Sequence, residues 1–287
     1  MKFGLIGAAG YVAPKHMQAI KDTGNELVVA LDLSDSVGIL DRYFPECKFF
    51  TESERFDRHV MKYENLDYIS ICSPNYLHEP HTKLGLRLGS NVICEKPLVL
   101  EPDNISQIET VAKQMSKNVY TILQLRLHPS IKILKKMINR NHYYDVGMEY
   151  ITPRGPWYYH SWKGDKEKSG GIETNIGIHF FDMLMWLFGK CEKFEIINRS
   201  PRMSEGCLYL ESAKVHWFMS LMKSDLPDKT KNFHRLMTVD NEEIRFDNVF
   251  SDLHTESYIE ILNGHGFCPS ETYDSIELVS QIRKEIK

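Results

Sequence analysis

Two kinds of apolar pattern divide the chain. From the first residue to about residue 124, short continuous apolar runs alternate with segments whose apolar residues recur at helical spacing. The runs are Phe3-Gly4-Leu5-Ile6, Leu27–Leu31, a short one near Phe49-Phe50, Tyr68–Cys72, Val92–Cys94 and Val119–Leu123. Between them Ala13, Met17 and Ile20 form one helical face, which Gly24 ends. Ile105, Ile108, Val111, Ala112 and Met115 form another, with Asp103 or Asn104 as its cap. Runs apolar on both faces, alternating with amphipathic helices, predict a parallel sheet covered on both sides: a doubly wound nucleotide-binding domain. From about residue 145 the period becomes two. Val215, Trp217, Met219 and Leu221 alternate with Lys214, His216, Phe218 and Ser220, and Ile244 and Phe246 alternate with charged neighbours. This predicts antiparallel strands with one face under helices. Phe218 and Tyr209 make the other face partly apolar, which suits burial against a second subunit. Asp225–Asn232 has linker character and is expected to join two strands.

Length and composition agree with two domains. The chain has 287 residues, 42 % of them apolar, enough for sizeable cores. A net charge of −4 excludes a global basic footprint for nucleic acid, so an anionic ligand must be met by local cations. The first residues already form a strand rather than a leader, and no apolar run approaches a membrane span, so a cytoplasmic protein is expected. The six cysteines lack CxxC spacing and are expected to be reduced and buried.

Candidate chemistry begins at Gly7 and Gly10, where the backbone can turn sharply and approach a pyrophosphate without a Cβ in the way. The following helix would turn its free N–H groups and positive dipole end to the phosphates. Asp32 ends the second run, where an acid binds ribose hydroxyls and repels a 2′-phosphate, which favours NAD over NADP. Lys96 ends the buried run before Pro97, at the edge where ligands bind; beside a cationic nicotinamide its own charge is disfavoured. The plain alternative is a surface lysine paired with Glu95. His179 titrates near neutrality and is available as a base. On an apolar helix it would ordinarily be a core residue, but Gly170-Gly171 precede it and Asn175 lies one turn earlier on the same face. Arg154, Lys163, Lys166 and Lys168 surround Tyr158, Tyr159 and Trp162. Of this loop Arg154, Tyr159, Ser161 and Lys163 are the expected contacts to an anionic substrate, and residues 166–168 a solvated turn. His78-Glu79-Pro80-His81 is not taken as a metal pair, because proline breaks its helical spacing, and no metal is expected. Tyr159–Lys163 has the YxxxK spacing of short-chain dehydrogenases but follows two prolines instead of opening a long helix.

Gly7xxGly10xxAla13, Ser73-Pro74-Asn75-Tyr76-Leu77-His78, Glu95-Lys96-Pro97 and Gly170-Gly171…Asn175-Ile176-Gly177-Ile178-His179-Phe180-Phe181-Asp182 occur in the order seen in the glucose-fructose oxidoreductase and inositol dehydrogenase family, which the chain resembles over nearly its whole length. Gln124–Pro129, Arg154–Tyr158, Ser161–Gly164, Thr174–Asp182 and Asp252–Tyr258 resemble most the members that oxidise UDP-N-acetyl-2-amino-2-deoxyglucuronate at C3 for surface polysaccharides. The resemblance implies an α/β protein with an NAD-binding Rossmann domain over residues 1–122. An α+β substrate-binding and oligomerisation domain with an open, mostly antiparallel sheet would span 123–287. It implies NAD contacts at Gly7, Gly10, Tyr11, Val12, Asp32, Ser34, Ser73, Asn75, His78, Glu95, Lys96 and Gln124. Sugar contacts would come from Lys96, Arg154, Tyr159, Ser161, Lys163, Thr174, Asn175 and His179, with Lys96 and His179 catalytic. Many relatives carry aspartate where Asn175 stands; an amide cannot raise a histidine pKa by charge, so Asn175 is expected to orient the sugar. The implied partners are a UDP-sugar uronate, 2-oxoglutarate as a hydride acceptor, and a second copy of the chain in a homodimer or homotetramer. Another sugar oxidoreductase, or a catalytically silent NAD sensor on the same fold, is the alternative.

Overall fold

The alternating runs build a fully parallel sheet in the amino-terminal half. In the computed structural model, which describes residues 1–244 and 253–285, its strands are β1 (Lys2–Ile6), β2 (Glu26–Leu31), β3 (Lys48–Phe50), β4 (Tyr68–Ile71), β5 (Asn91–Cys94) and β6 (Val119–Thr121). They lie in the order β3-β2-β1-β4-β5-β6, every neighbouring pair parallel. Helices α1 (Ala13–Asp22), α2 (Ile39–Tyr43), α3 (Ser53–Tyr63), α4 (His78–Arg87) and α5 (Asp103–Met115) connect them. The strand order reverses between β1 and β4, so their carboxyl ends diverge into the crevice where doubly wound sheets take ligands. Ala13, Met17 and Ile20, the expected inner face of α1, are fully buried. Two local expectations change. Strand β6 is shorter than the apolar run and stops at Thr121, although Ile122 N–H still donates to Cys94 O of β5 at 2.9 Å. Pro102 rather than Asp103 or Asn104 takes the cap position of α5, and Asp103 sits in the first turn, where its charge still favours the positive helix end.

The second half is a mixed sheet under one long buried helix. After α6 (Pro129–Met137) come β7 (Tyr144–Ile151), α7 (Pro156–His160), α8 (Lys166–Ser169), a π-helical turn over Glu173–Gly177, and α9 (Ile178–Phe188). Then follow β8 (Cys191–Ser200), β9 (Met203–Leu210), β10 (Ala213–Ser220), β11 (His234–Val239) and β12 (Glu242–Glu243). The order is β12-β11-β7-β10-β9-β8, antiparallel except for β7 with β10, which the long crossover through α7 to β9 makes parallel. Val215, Trp217 and Met219 are buried, while Lys214 and His216 are exposed. Trp217 packs edge-on against Phe181 of α9, ring centroids 5.4 Å apart. Gly206 faces it across the ladder because a Cβ there would stand 2.4 Å from the indole. The segment Asp225–Asn232 does lie in the connection between β10 and β11. Ile244 follows β12, and Phe246 and Asp252 lie outside the described residues.

The chain then gives α10 (Leu253–Leu262) and α11 (Tyr273–Lys284). It divides into two compact units: Met1–Gln124 with Asp252–Tyr273, and Leu125–Ser251 with Asp274–Lys287. A single boundary at residues 122 and 123 has no place for that return, in which Tyr258 and Ile261 of α10 join Phe3, Met17, Ile20 and Leu27 in one core. Cys72, Cys94 and Cys207 are buried thiols, but Cys47, Cys191 and Cys268 are half-buried. Among the described residues no helix is long and apolar enough to cross a membrane.

Within the second unit a bidentate ion pair anchors α9. Arg126 donates from Nε to Asp182 Oδ2 at 2.9 Å and from Nη2 to Oδ1 at 2.7 Å, both side chains buried. Removing the carboxylate strips the buried guanidinium of its bidentate contact, so Asp182→Ala is expected to cost about 3–5 kcal/mol of unfolding free energy. Urea denaturation measures this; a loss below about 1 kcal/mol would mean the pair is effectively solvated.

Candidate functional site

The glycine turn between β1 and α1 is set by close backbone approach. Gly7 has φ +94, and a Cβ on it would lie 2.5 Å from Cys72 C and Ser73 N; one on Gly10 would lie 3.0 Å from Cys72 O and Gly7 O. Only glycine lets the turn sit against the end of β4. Val12 occupies the cap position of α1 with no side-chain hydrogen bond to the helix N–H groups. Among the described residues no side chain caps this positive helix end, and Tyr11 beside it is 90 % exposed. Asp32 accepts from Ala9 N–H through Oδ2 and from Ser34 N–H through Oδ1, both at 2.9 Å. These bonds fix a half-exposed carboxylate beside the turn, each oxygen keeping a lone pair for a further donor.

The ends of β4 and β5 carry the next group. Ser73 and Asn75 are buried. His78 is buried with Nδ1 2.6 Å from Pro97 O and Nε2 2.7 Å from Ser73 O, so it clamps the loops after the two strands together and offers no free nitrogen to a ligand. Burial lowers its pKa although both carbonyls favour the imidazolium. His81 turns Nδ1 to Ser73 Oγ at 2.9 Å, so the two histidines do not converge on a metal. Lys96, half-buried, follows directly and precedes a cis Pro97. The Gln124 amide oxygen is buried with no hydrogen-bond partner among the described residues, an acceptor that a ligand N–H would satisfy.

Glu95 is neither a surface partner of Lys96 nor turned outward. Its Oε1 is 3.0 Å from His16 Nε2 and 2.9 Å from His254 Nε2, all three side chains buried. His16 Nδ1 meets Tyr258 Oη at 2.8 Å, and Tyr258 Oη meets Ser70 Oγ at 2.5 Å. Burial alone would raise the Glu95 pKa, but the imidazole donors hold it well below the usual carboxylate range. Burial lowers the pKa of His16. The consistent assignment is an ionised Glu95 receiving N–H from both imidazoles, with Tyr258 donating to His16 and Ser70 to Tyr258. Among the described residues these three are also the one group of ligand-type side chains close enough to hold a metal, their ligand atoms within 4.8 Å of one another.

In the second unit the loop after β7 gathers cations. Arg154 N–H donates to Leu221 O at 3.0 Å, and Leu221 N–H donates to Arg202 O at 2.9 Å, so the end of β10 brings both arginines to one groove. The groove, about 320 Å³, is lined by Arg154, Pro156, Tyr159, His160 and Arg202. The Arg202 guanidinium lies 4.8 Å from the Tyr159 ring centroid. Lys163 Nζ stands 4.8 Å and 5.8 Å from the rings of Trp162 and Trp157, and burial, then Arg154, lowers its pKa. The Ser161 hydroxyl donates to Tyr158 O at 2.8 Å and shapes the loop. Thr174 is fully buried against Gly170, its hydroxyl unpaired among the described residues. Asn175 donates to the hydroxyl of buried Tyr158 at 3.0 Å. The π turn places it off the regular helical spacing expected before His179. His179 and Trp186 are the only residues of α9 that are not buried, so the imidazole is accessible instead of filling the core.

Sequence reasoning missed His16, Tyr258 and His254 as one cluster, and it missed Arg202. His16 left a signal, since it shares the buried face of Ala13, Met17 and Ile20. Arg202, in a short turn between strands, left none.

The residues fit a dinucleotide on three observations: a glycine cradle that a Cβ would fill, an uncapped helix start beside a fixed carboxylate, and the orphaned Gln124 oxygen. The Gfo/Idh/MocA model described as oxidoreductase family, NAD-binding Rossmann fold matches residues 1–122. Its companion C-terminal alpha/beta domain matches residues 132–223. The fold superposes with a TM-score of 0.95 on the WlbA (WbpB) dehydrogenase of Thermus thermophilus, crystallised with NAD and alpha-ketoglutarate; identity is 44 %, covering 100 % of this chain and 96 % of that one. A second crystal structure of that enzyme, with NAD and UDP-GlcNAcA, gives the same score and identity over 95 % of its chain. Glucose-6-phosphate 3-dehydrogenase of Bacillus subtilis is 23 % identical over 302 aligned residues, covering 100 % of this chain and 73 % of its own.

Gly7→Ala forces a Cβ onto the Cys72–Ser73 peptide at a positive φ, a strain of about 1–3 kcal/mol. The variant is expected to lose NAD binding by titration calorimetry while circular dichroism still reports a folded chain; wild-type affinity would contradict the close-approach argument.

Proposed function

The chain belongs to the Gfo/Idh/MocA family of oxidoreductases, and on that premise we propose that it is an NAD-dependent dehydrogenase oxidising the C3 hydroxyl of UDP-N-acetylglucosaminuronate to the 3-keto sugar. The observation that carries the reading is the full-length likeness to an enzyme crystallised with NAD and UDP-GlcNAcA, joined to a cation-lined groove of this chain's own. NAD, when bound, supplies the acceptor for the hydrogen that leaves C3 with its electron pair. The end of the turn presents the N–H groups of Tyr11 and Val12 to its phosphates, Asp32 accepts from its ribose, and Gln124 offers an acceptor to its carboxamide. His179 takes the hydroxyl proton on an imidazole nitrogen, and Lys96 donates a hydrogen bond through Nζ to the oxygen as it becomes a carbonyl. Asn175, held by Tyr158, orients the sugar. Arg154 and Arg202 offer planar forks to carboxylate or diphosphate, and Lys163 a point charge.

The acid that accompanies NAD in the other Thermus crystal suits a second half-reaction in which 2-oxoglutarate regenerates NAD. A reaction between NAD and a nucleotide sugar belongs in the cytoplasm, and the 3-keto product suits later amination on the way to diamino uronic acids of surface polysaccharide. The open face of the second sheet, with half-buried Phe218 and Tyr209 among charged side chains, is the surface proposed to join copies of the chain in a homodimer or homotetramer.

Mixing the protein with NAD, UDP-GlcNAcA and 2-oxoglutarate is expected to yield a 3-keto sugar by NMR; oxidation at any other carbon would overturn the substrate assignment. Loss of general acid–base help costs about 10²–10⁴ in rate, so Lys96→Ala and His179→Ala should each lose at least about 10²-fold in kcat with NAD binding largely intact. Near-normal turnover in either would remove that residue's role. Because its pKa is lowered, Lys163 sheds its proton at a lower pH than an ordinary lysine. UDP-GlcNAcA affinity should therefore fall as pH rises toward that value, and Lys163→Arg should abolish the fall. An alkaline fall unchanged in the arginine variant would assign it to another group.

A further inference from the structure

We propose that the buried network Ser70–Tyr258–His16–Glu95–His254 is a positioning device that holds the end of β5 and so fixes where Lys96 presents its amine. This rests on the catalytic assignment of Lys96 made above. The stretch Cys94–Pro97 is tied through its main chain on both sides: Glu95 N–H donates to Ile71 O at 3.0 Å, Cys94 O accepts from Ile122 N–H at 2.9 Å, and Pro97 O meets His78 at 2.6 Å. Those bonds fix the main chain of the strand end, and the Glu95 side chain adds an anchor on the residue directly before Lys96. It is 6 % exposed and directed inward, where its oxygen takes two imidazole N–H groups that come from different helices, His16 on α1 and His254 on α10.

A buried carboxylate must keep such donors, because leaving an ionised group unpaired is far costlier than moving the chain. The donors are themselves fixed. His16 is held by the Tyr258 hydroxyl, its ring crosses that of His254 edge-on at 5.2 Å, and Tyr258 stacks on Phe3 of β1 at 5.9 Å. The segment 253–258, which resembles the sugar-nucleotide members of the family and otherwise has no role, returns to the first unit 159 residues beyond Glu95 to deliver His254 and Tyr258. A structural network could have used apolar side chains at these positions. A charged hub directed from two helices onto the residue before Lys96 specifies one backbone geometry, which hydrophobic packing does not.

The test compares His254→Ala, His254→Gln and Lys96→Ala in the full chain, with kcat, KM for UDP-GlcNAcA, NAD affinity and thermal midpoint measured for each. Glutamine keeps an N–H near the position of Nε2; alanine removes it. Since misplacing a catalytic group by about 1 Å costs about 10²-fold, His254→Ala should lose about that factor in kcat with NAD affinity unchanged. His254→Gln should recover most of the loss. Wild-type kcat in a His254→Ala protein that merely melts lower would reduce the network to stability and overturn the proposal, as would a glutamine variant no better than alanine. If Lys96→Ala itself kept turnover, the functional reading would fail first, so the two failures are distinguishable. Should His254→Ala not fold, Tyr258→Phe removes one hydroxyl and keeps the stacked ring, and the same loss of kcat at unchanged NAD affinity is expected. Stoichiometric metal in the purified protein by elemental analysis would make the three side chains ligands and overturn the hydrogen-bonded assignment.

Discussion

At Gly7 the main chain passes so close to the end of β4 that no side chain fits between them, and much of the first unit follows from that contact. The turn is pressed against the Cys72–Ser73 peptide, which aims the start of α1 along the crevice left by the reversal of strand order. Gly7 and Ala8 donate to Leu31 O, and Ala9 donates to Asp32, so the same turn fixes the carboxylate at the end of β2. The helix start and the acid proposed to meet the phosphates and the ribose are thereby positioned by one steric constraint.

The second constraint is electrostatic. A carboxylate buried next to the candidate catalytic lysine requires compensation, and the protein supplies it from α1 and from a helix that follows the whole second sheet in sequence. The chain's return into its first unit is thus more than a core-filling device: Ile261 fills space, but His254 and Tyr258 complete a polar network with His16 and Glu95. The cations of the second unit obey a different logic. Arg154 and Arg202 meet because Leu221 hydrogen-bonds through both its main-chain groups, so a backbone ladder places two guanidinium groups on one groove.

How much of this was legible depends on the range of the interaction. The parallel sheet, α1 with its buried face, and the period-two strands could be read because each is a local pattern of side chains against a nearby layer. The placement of the glycine turn, Asp32 and Lys96 at strand ends was legible because it follows from where the apolar runs stop. The parallel pairing of β7 with β10 was not, since alternation is the same in either direction and only the crossover decides it. Nor was the inward turn of Glu95: its partners lie 79 and 159 residues away, and nothing near it in sequence distinguishes a buried carboxylate from a surface one. His179 could be set apart from the core only through Gly170-Gly171 and Asn175 before it, because α9 itself is apolar almost all round.

The central claim, that the chain removes the hydrogen from C3 of a sugar-nucleotide uronate, is tested most directly with UDP-GlcNAcA deuterated at that carbon. The account predicts a primary isotope effect on single-turnover reduction and recovery of the deuterium in the reduced cofactor by mass spectrometry. Reduced cofactor free of deuterium, or no reduction at all in a protein that binds both NAD and the sugar nucleotide, would contradict it.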